Sequence, residues 1–561
     1  MSSVTDPMLD PTAPGDLSAD PAVRAAARGQ ASRLPLTGIA LAIFAVMAVL
    51  GVWLRPAMPI DETRYLTVAW EMRLHHSWIV PHLNGEIYGD KPPLLFWLIN
   101  LVWAVTGPSE FAGRLVAPAF GLGAIWVTSR LGRALYPTRP ELGGYAALAL
   151  AGMGGFAFFA GLTMFDAMLT LATALGVLAL VHAARTPAEA PRSWLPWAGY
   201  GAAIALGVIS KGPVILVHLV PVGLALPFWG GMPLKAAFKG VGLGVLIALG
   251  LVLLWLVPAL LLGGADYRQE ILWTQSAGRV VSSFAHQKPW WFFVPLLPLL
   301  AFPWIWSLGF WKNLRLIGPM PVWIVATVAI FSLISGKQTH YLVPMLPAVA
   351  LIAAPAIAQG ARAPLAALGP LAAALYLLGV AFGLVKGEVR EVIGPAWLLV
   401  AIAVGLVLVA AVAVLRRGGW LAVLSPAVVV LLSLLFIGKA GDAYDATLIG
   451  RQLAAYEQAG LATMDDGYAG EFGFAGRLAQ PVAMLPDPVA AAAWLAEKPG
   501  RALMGRMDRP QPQAAPDQLL SFRGRSYGLW LNKESSTTSG ASLGAGASEG
   551  TTQNSQTEAV Q

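Results

Sequence analysis

No cysteine occurs among the 561 residues, which rules out a disulfide or a thiolate metal site. Charge is nearly as scarce. Asp, Glu, Lys and Arg make up 12% of the chain, about half the share of a typical soluble protein. No GxxxxGK[ST] or HExxH occurs, so nothing supports coupling through ATP or a zincin site. SKGPV around Lys211 lacks the glycine frame and strand context of a P-loop. No fixed-period repeat is visible. The first 34 residues lack the form of a cleaved signal peptide, because no small-residue cleavage site closely follows the apolar run that starts near Leu36.

What the chain has instead is long apolar runs. Hydrophobic residues make up 57%, in repeated stretches of the length a spanning helix requires. The net charge of +7 then reads as Lys and Arg on cytoplasmic loops rather than as a nucleic-acid surface. Length and hydropathy predict an all-α multi-pass membrane protein with about 13 transmembrane helices and juxtamembrane helices on the outer side. The first is Pro35–Leu54. The others lie near 114–134, 142–161, 167–184, 195–210, 212–229, 239–262, 291–311, 319–335, 341–358, 364–385, 394–415 and 419–437.

Arg24, Arg28 and Arg33 precede the first run, which places the N-terminus in the cytoplasm and Asp61 on the far side. The run Leu94–Thr106 has 13 residues, too few for a crossing. Taken as a re-entrant or interfacial helix, it leaves Arg130, Arg133 and Arg139 inside, as the positive-inside rule prefers. Later inside loops then carry Arg185 and Arg192, Lys235 and Lys239, Lys312 and Arg315, Arg362, and Arg416-Arg417. Outside turns carry Asp166, Lys211, Gly263–Pro289, Gly336–His340 and Lys386–Glu391, the rim of a cavity.

The domain reading is a disordered cytoplasmic segment at 1–34 and a transmembrane domain at 35–438, with a catalytic loop at 61–108. A small periplasmic α/β domain follows at 439–533 and a disordered tail at 534–561. In the small domain, 447–458 and 489–496 read as helices, and 502–505 and 526–532 as strands.

Chemistry concentrates in 61–93, DETRYLTVAWEMRLHHSWIVPHLNGEIYGDKPP. Asp61 and Glu62 follow Pro59 at the outer end of the first span. An acidic pair there suits solvation at the interface. Yet Thr63–Leu74 is amphipathic, and a carboxylate at a helix start stays ionised and suits general-base work. Lys91 precedes two prolines, which hold it extended before an apolar helix. A fixed ammonium at the membrane surface suits a lipid-linked phosphate, although a snorkelling lysine has the same sequence form. Asp166, in GLTMFDAMLT, is a boundary acid and equally a helix N-cap. Arg279, then His286 and Lys288 before Trp290-Trp291, lie in an outside loop. Lys337, His340 and Tyr341 form another basic turn, fit to hold phosphate or sugar or to anchor a span. His286 with Asp90, His75 or His76 is a weak divalent-metal candidate, because no short ligand spacing accompanies it.

The order DETRY, WIVPHLNG and then Tyr88-x-Asp90-Lys91-Pro92-Pro93-Leu94-Leu95 resembles polyprenyl-phosphate-sugar-dependent glycosyltransferases of the GT-C superfamily. Lipid A aminoarabinose transferases and the dolichyl-phosphate-mannose protein mannosyltransferases are the nearest kinds. The Asp166 turn, Ser210–Val214, His286–Phe293 and Lys337…Tyr341…Pro344 follow in the same order. The C-terminal third matches only in having helices followed by a small soluble domain.

The resemblance implies sugar transfer with inversion from undecaprenyl phosphate at the outer face of a bacterial inner membrane, to lipid A or another lipid or glycan acceptor. It implies a monomer that needs no nucleotide and binds no nucleic acid. Asp61 takes the catalytic-carboxylate position and Asp166 the second acidic site. Lys91 holds the donor phosphate with Tyr88 and Tyr341 near it; apart from the resemblance, Arg64, Lys337 and Arg279 are further cations suited to hold that phosphate. Asp90 and His286 match positions that bind a divalent metal (Zn, Mg or Mn) in similar enzymes. Asp90 stands where those enzymes often have Glu, one methylene longer.

Transfer to another glycan or to a protein remains a second reading of the same residues. A lipid flippase predicts charge at mid-membrane and inverted repeats. Here the charge gathers at one rim, as a one-sided enzyme requires. A purely structural membrane protein has no need of Asp61, Lys91 and Asp166 together.

Overall fold

Where a backbone lies in lipid, helices satisfy its polar groups internally, and the apolar runs of this chain fold accordingly. A computed structural model describes residues 36–187, 189–272, 288–385 and 394–533. The expectations for 1–34, 534–561, Arg279, His286 and Lys386–Glu391 lie outside the described residues.

Among the described residues, eight helices are long and apolar enough to cross a membrane: Leu36–Leu54, Glu110–Leu135, Phe165–Arg185, Leu234–Leu262, Thr339–Ala358, Pro364–Ala381, Ala396–Leu415 and Gly418–Phe436. A ninth is the bent pair Leu142–Ala151 and Gly154–Ala160, which turns by 63°. The expected count of about 13 is therefore not reached by continuous helices, and proline explains much of the difference. Between 291 and 311, Pro295, Pro298 and Pro303 each lack a backbone donor. That run breaks into Trp290–Phe293, Leu297–Leu300, Trp304–Trp306 and Leu308–Lys312. Pro221 lies within Ile215–Leu224, and Pro227 starts the short Leu226–Gly230 that follows. The bend in the 142–160 pair has a packing cause. A side chain at Gly152 would meet the Ala422 backbone at 2.4 Å, so the helix end lies against the last span. The next strand of chain bonds sideways, Gly154 N donating to the Phe302 carbonyl at 2.8 Å.

The unit that follows the first span begins with the helix Asp61–Leu74. Chain leaving it forms a two-strand hairpin, β1 (His82–Leu83) and β2 (Glu86–Ile87). Asn84 and Gly85 both take positive φ, +55° and +78°, the turn that Asn-Gly favours between strands. Glu71 fixes this turn by accepting from Asn84 N at 2.7 Å and Gly85 N at 3.0 Å. Leu94–Thr106 follows as a 13-residue helix. It lays Leu95, Phe96, Ile99 and Trp103 against Tyr65, Leu66, Ala69 and Met72, forming one apolar core. Asn100 donates across to the Ala69 carbonyl at 2.9 Å. The helix is thus as short as its run, and it packs along the Asp61 helix.

Beyond Lys439, a five-stranded sheet forms with order β4-β3-β5-β7-β6. Its strands are β3 (Leu461–Thr463), β4 (Ala483–Met484), β5 (Ala502–Arg506), β6 (Gln518–Phe522) and β7 (Arg525–Leu531). β3 pairs in parallel with β4 and β5, and β7 pairs antiparallel with β5 and β6. Asp445 and Asp487 cap the helices Ala446–Ala454 and Pro488–Ala496 by accepting from their first amides.

This sheet unit sits on the Asp61–Leu74 helix. Thr67 Oγ1 donates to the Gly470 carbonyl at 2.7 Å and accepts from Phe474 N at 2.9 Å. Asn84 exchanges two bonds with the Val482 backbone. Phe474 stacks on Trp103, with centroids 4.9 Å apart and planes 5° apart. Such a pair adds about 0.5–1.5 kcal/mol beyond the apolar area it buries. Arg477 covers the other face of Phe474 and donates to the Pro108 carbonyl at 2.7 Å. The two helices and the sheet therefore form one packed body that holds the Asp61 helix.

Candidate active site

Asp61 opens its helix, and the first turn determines its contacts. Residues three and four positions on lie on the same face. Arg64 Nη2 donates to Asp61 Oδ1 at 2.6 Å, and the Tyr65 hydroxyl donates to the same oxygen at 3.1 Å. The Asp61 side chain is 46% exposed, so this carboxylate keeps access to an incoming molecule. Burial raises the Tyr65 phenol well above its ordinary pKa, and the neighbouring Asp61 charge adds to that. Tyr65 thus stays protonated and donates over the working pH range.

Asp166 lies in the first turn of Phe165–Arg185 and is almost wholly buried. Lys211, the last residue of Leu195–Lys211, places Nζ 2.6 Å from Asp166 Oδ1. Gly212 ends that helix at φ +82°, a conformation suited to glycine, and so turns the chain away directly after the lysine. Asp166 Oδ2 has no hydrogen-bond partner among the described residues. Lys211 Nζ also stands 5.7 Å from the centre of the Tyr341 ring. His340 packs edge-on against Tyr341 and Phe159.

Aromatic packing joins the two acidic sites. The Tyr65 ring meets Phe165, the residue before Asp166, edge-on at 4.9 Å. Phe96 packs against Tyr65, Tyr88 and Phe165. These rings floor a cluster of charge. Lys91, Lys211 and His340 all act electrostatically on Asp166. Asp61, Asp166, Lys91 and Lys211 act on His340. Asp61 and Asp90 act on Arg64 and favour its charged form against the effect of burial. The cluster therefore brings together Asp61, Arg64, Tyr88, Asp90, Lys91, Asp166 and Tyr341, which the sequence singled out from segments up to 280 residues apart.

Lys337 is placed differently. It is buried, and its ammonium donates to the carbonyls of Lys288 (3.0 Å) and Ile334. Two of the three donors an ammonium has are spent on tying that turn. His75 and His76 lie past the far end of the Asp61 helix and are exposed. Among the described residues, no three His, Cys, Asp or Glu side chains gather as a metal site. A cleft lined by Glu71, His75, Asn84 and Tyr468 lies at the joint with the sheet unit, and of the residues singled out from the sequence it contains His75 alone.

Sequence reasoning missed three contributors. Lys211 was noted as an outside turn and within the Ser210–Val214 motif but was given no role, although a lone lysine closing an apolar helix was the available signal. Tyr65, four residues after Asp61, was readable from helix spacing. Glu62 was treated as half of an acidic pair, yet it faces away from Asp61 and is buried. Burial raises its pKa, but Arg55 and Arg114 outweigh that and hold it well below the usual carboxylate range.

Residues 90–257 match the protein family described as dolichyl-phosphate-mannose-protein mannosyltransferase. The chain is 32% identical over 330 residues to undecaprenyl phosphate-alpha-4-amino-4-deoxy-L-arabinose arabinosyl transferase 2 of Pseudomonas fluorescens, covering 57% of this chain and 55% of that protein. It is 32% identical over 311 residues to the transferase of the same description from Pseudomonas aeruginosa, covering 54% and 56%. The chain thus spans about half the length of the curated relatives it matches. The fold is similar to that of ArnT from Cupriavidus metallidurans, crystallised bound to undecaprenyl phosphate. The TM-score is 0.68 at 19% identity, over 88% of this chain and 97% of that one. These matches bear out the GT-C resemblance read from the sequence.

Proposed function

We propose that the chain is an integral-membrane glycosyltransferase that moves a sugar from a polyprenyl phosphate to a lipid acceptor by inverting displacement. The observation that carries this reading is the cluster itself. Two carboxylates, Asp61 and Asp166, share one rim with Arg64, Lys91 and Lys211. The relatives' names suggest undecaprenyl phosphate as carrier and 4-amino-4-deoxy-L-arabinose as sugar, and lipid A as acceptor is what the resemblance read from the sequence implies.

The chemistry suits these residues. A sugar phosphate has an activated anomeric carbon, so no nucleotide is required. Lys91, with Arg64, Tyr88, Tyr341 and Arg279, holds the phosphate and stabilises the charge that grows there as the carbon–oxygen bond breaks. The acceptor oxygen attacks the opposite face and forms the new glycosidic bond. If that oxygen is a hydroxyl, its proton passes to Asp61. If it belongs to a phosphate, it is already ionised, and Asp61 steadies the positive charge on the sugar ring. Lys211, 2.6 Å from Asp166, adds a fixed donor next to the reacting centre. A divalent ion at Asp90 and His286 belongs to the proposal only as an added charge at the phosphate, and no step runs through it.

The proposed setting is a monomer in a bacterial inner membrane, with 13 crossings once the broken segments are counted, a cytoplasmic N-terminus and a periplasmic site. A reporter fused after Arg139 is expected to read cytoplasmic. A periplasmic signal makes Leu94–Thr106 a crossing and overturns this topology. The activity itself is tested by incubating purified protein with polyprenyl-phosphate-linked sugar and a lipid acceptor.

A further inference from the structure

Glu62 stands next to Asp61 in sequence but takes no part in the rim cluster. It lies 1% exposed at the meeting point of four chain segments. Arg55, directly after the first span, forms a two-pronged pair with it. Arg114, in the following span, approaches at 3.6 Å. Met58 N donates to Oε2 at 2.9 Å. Thr163 donates twice to Oε1, from its backbone N at 2.7 Å and from its hydroxyl at 2.8 Å. Thr163 belongs to the turn that launches the Asp166 helix, three residues before that carboxylate.

The remaining charge is accounted for locally. Arg114 also donates to Glu110 and to the Arg55 carbonyl, each at 2.9 Å. Arg55 reaches the Gly161 carbonyl at 3.5 Å. Two guanidinium groups and two carboxylates therefore balance. A buried ion network of this kind contributes little net stability compared with apolar packing of the same volume. What it fixes well is direction, because both Glu62 oxygens accept from donors on separate segments, Oε1 from Thr163 and Arg55 and Oε2 from Met58 N and Arg55. Arg114 Nε and Nη2 find no hydrogen-bond partner among the described residues.

We propose that Glu62 is a positioning residue. It clamps the first turn of the Asp61 helix to the turn before Asp166 and thereby sets the spacing between the two carboxylates. This rests on the transferase reading. A displacement near 1 Å at a reacting centre costs about 100-fold in rate. Glu62→Gln keeps the shape but sets an NH₂ against amide donors and removes the charge.

The test measures transfer and geometry separately. Glu62→Gln is expected to lower kcat about 30–100-fold. KM and undecaprenyl phosphate binding should stay within about threefold, because Glu62 touches neither substrate nor the phosphate-holding groups. Thr163→Val keeps the backbone bond and loses only the hydroxyl, so it covers the case in which the glutamine variant fails to fold. It should lower kcat about 3–10-fold, the worth of one hydrogen bond. The chain has no cysteine, so spin labels on cysteines introduced at His75 and Phe158 report one distance alone. Both positions are exposed, one past the Asp61 helix and one before the 161–164 turn. That distance distribution should broaden or shift in Glu62→Gln. Wild-type turnover in the variant, or lost turnover with an unchanged distance distribution, overturns the proposal. Failure of the transferase reading appears separately, as wild-type protein that transfers no sugar. The label distances then decide the clamp alone.

Discussion

Asparagine in place of Asp61 is expected to lower the rate of sugar transfer about 100–10,000-fold to a hydroxyl acceptor, the range a positioned general base contributes. The fold should survive. The side chain is 46% exposed and its partners Arg64 and Tyr65 are on the same helix, so the amide still accepts from both. Thermal stability should therefore change little, as for most exposed substitutions. Binding of the polyprenyl phosphate should be preserved, because Lys91 and Arg64 remain. A much smaller loss of rate with a phosphate acceptor identifies Asp61 as the group that takes the proton. Equal losses with both acceptors identify it as an electrostatic stabiliser. Full activity in both cases removes Asp61 from the site.

Replacing Lys211 with methionine should have the largest structural effect. Asp166 is 1% exposed and the lysine lies 2.6 Å from it, so the variant leaves a buried carboxylate with its nearest cation gone. Breaking a buried pair in this way costs about 3–5 kcal/mol. The melting temperature should fall, and transfer should fall with it. The double variant Asp166→Asn, Lys211→Met removes both charges, so it should regain most of the lost stability. It should not regain activity, because the rim has then lost a carboxylate as well as a cation. A double variant no more stable than the single one shows that the two side chains do not stabilise each other.

Which parts of this architecture the sequence revealed follows from what hydropathy can and cannot see. The extent of the short helix Leu94–Thr106 was readable, because Pro92-Pro93 and Gly107-Pro108 bound the apolar run, and the structure lays it along the Asp61 helix. The pairing of Asp61 and Lys91 with Asp166 across separate segments came through the order of motifs. Breaks within apolar runs were less visible to a window average. The prolines between 291 and 311 were in plain view and were outweighed by the surrounding Leu, Trp and Phe. The bend near Gly152 has a local signal in Gly152, Gly154 and Gly155, but the partner it packs against, Ala422, is 270 residues away. Asn84-Gly85 is the strongest short hairpin signal in the chain, and it passed unread inside a segment judged by its charge. The seating of the 439–533 unit on Thr67 and Trp103 is a non-local fact of the same kind. Glu62 shows the limit most sharply. Adjacent residues on a helix point about 100° apart, so Asp61 and Glu62 share a motif but serve the rim and the interior respectively.

The central claim is that the rim cluster transfers sugar from a lipid phosphate. The direct measurement uses the purified full chain in lipid with undecaprenyl-phosphate-linked aminoarabinose and lipid A, followed by mass spectrometry of both lipids. The account predicts that lipid A gains one aminoarabinose for each undecaprenyl phosphate released, with wild type active and Asp61→Asn inactive or nearly so. A folded wild-type protein that binds the donor yet leaves it intact, with this acceptor and with other glycan or lipid acceptors, contradicts it.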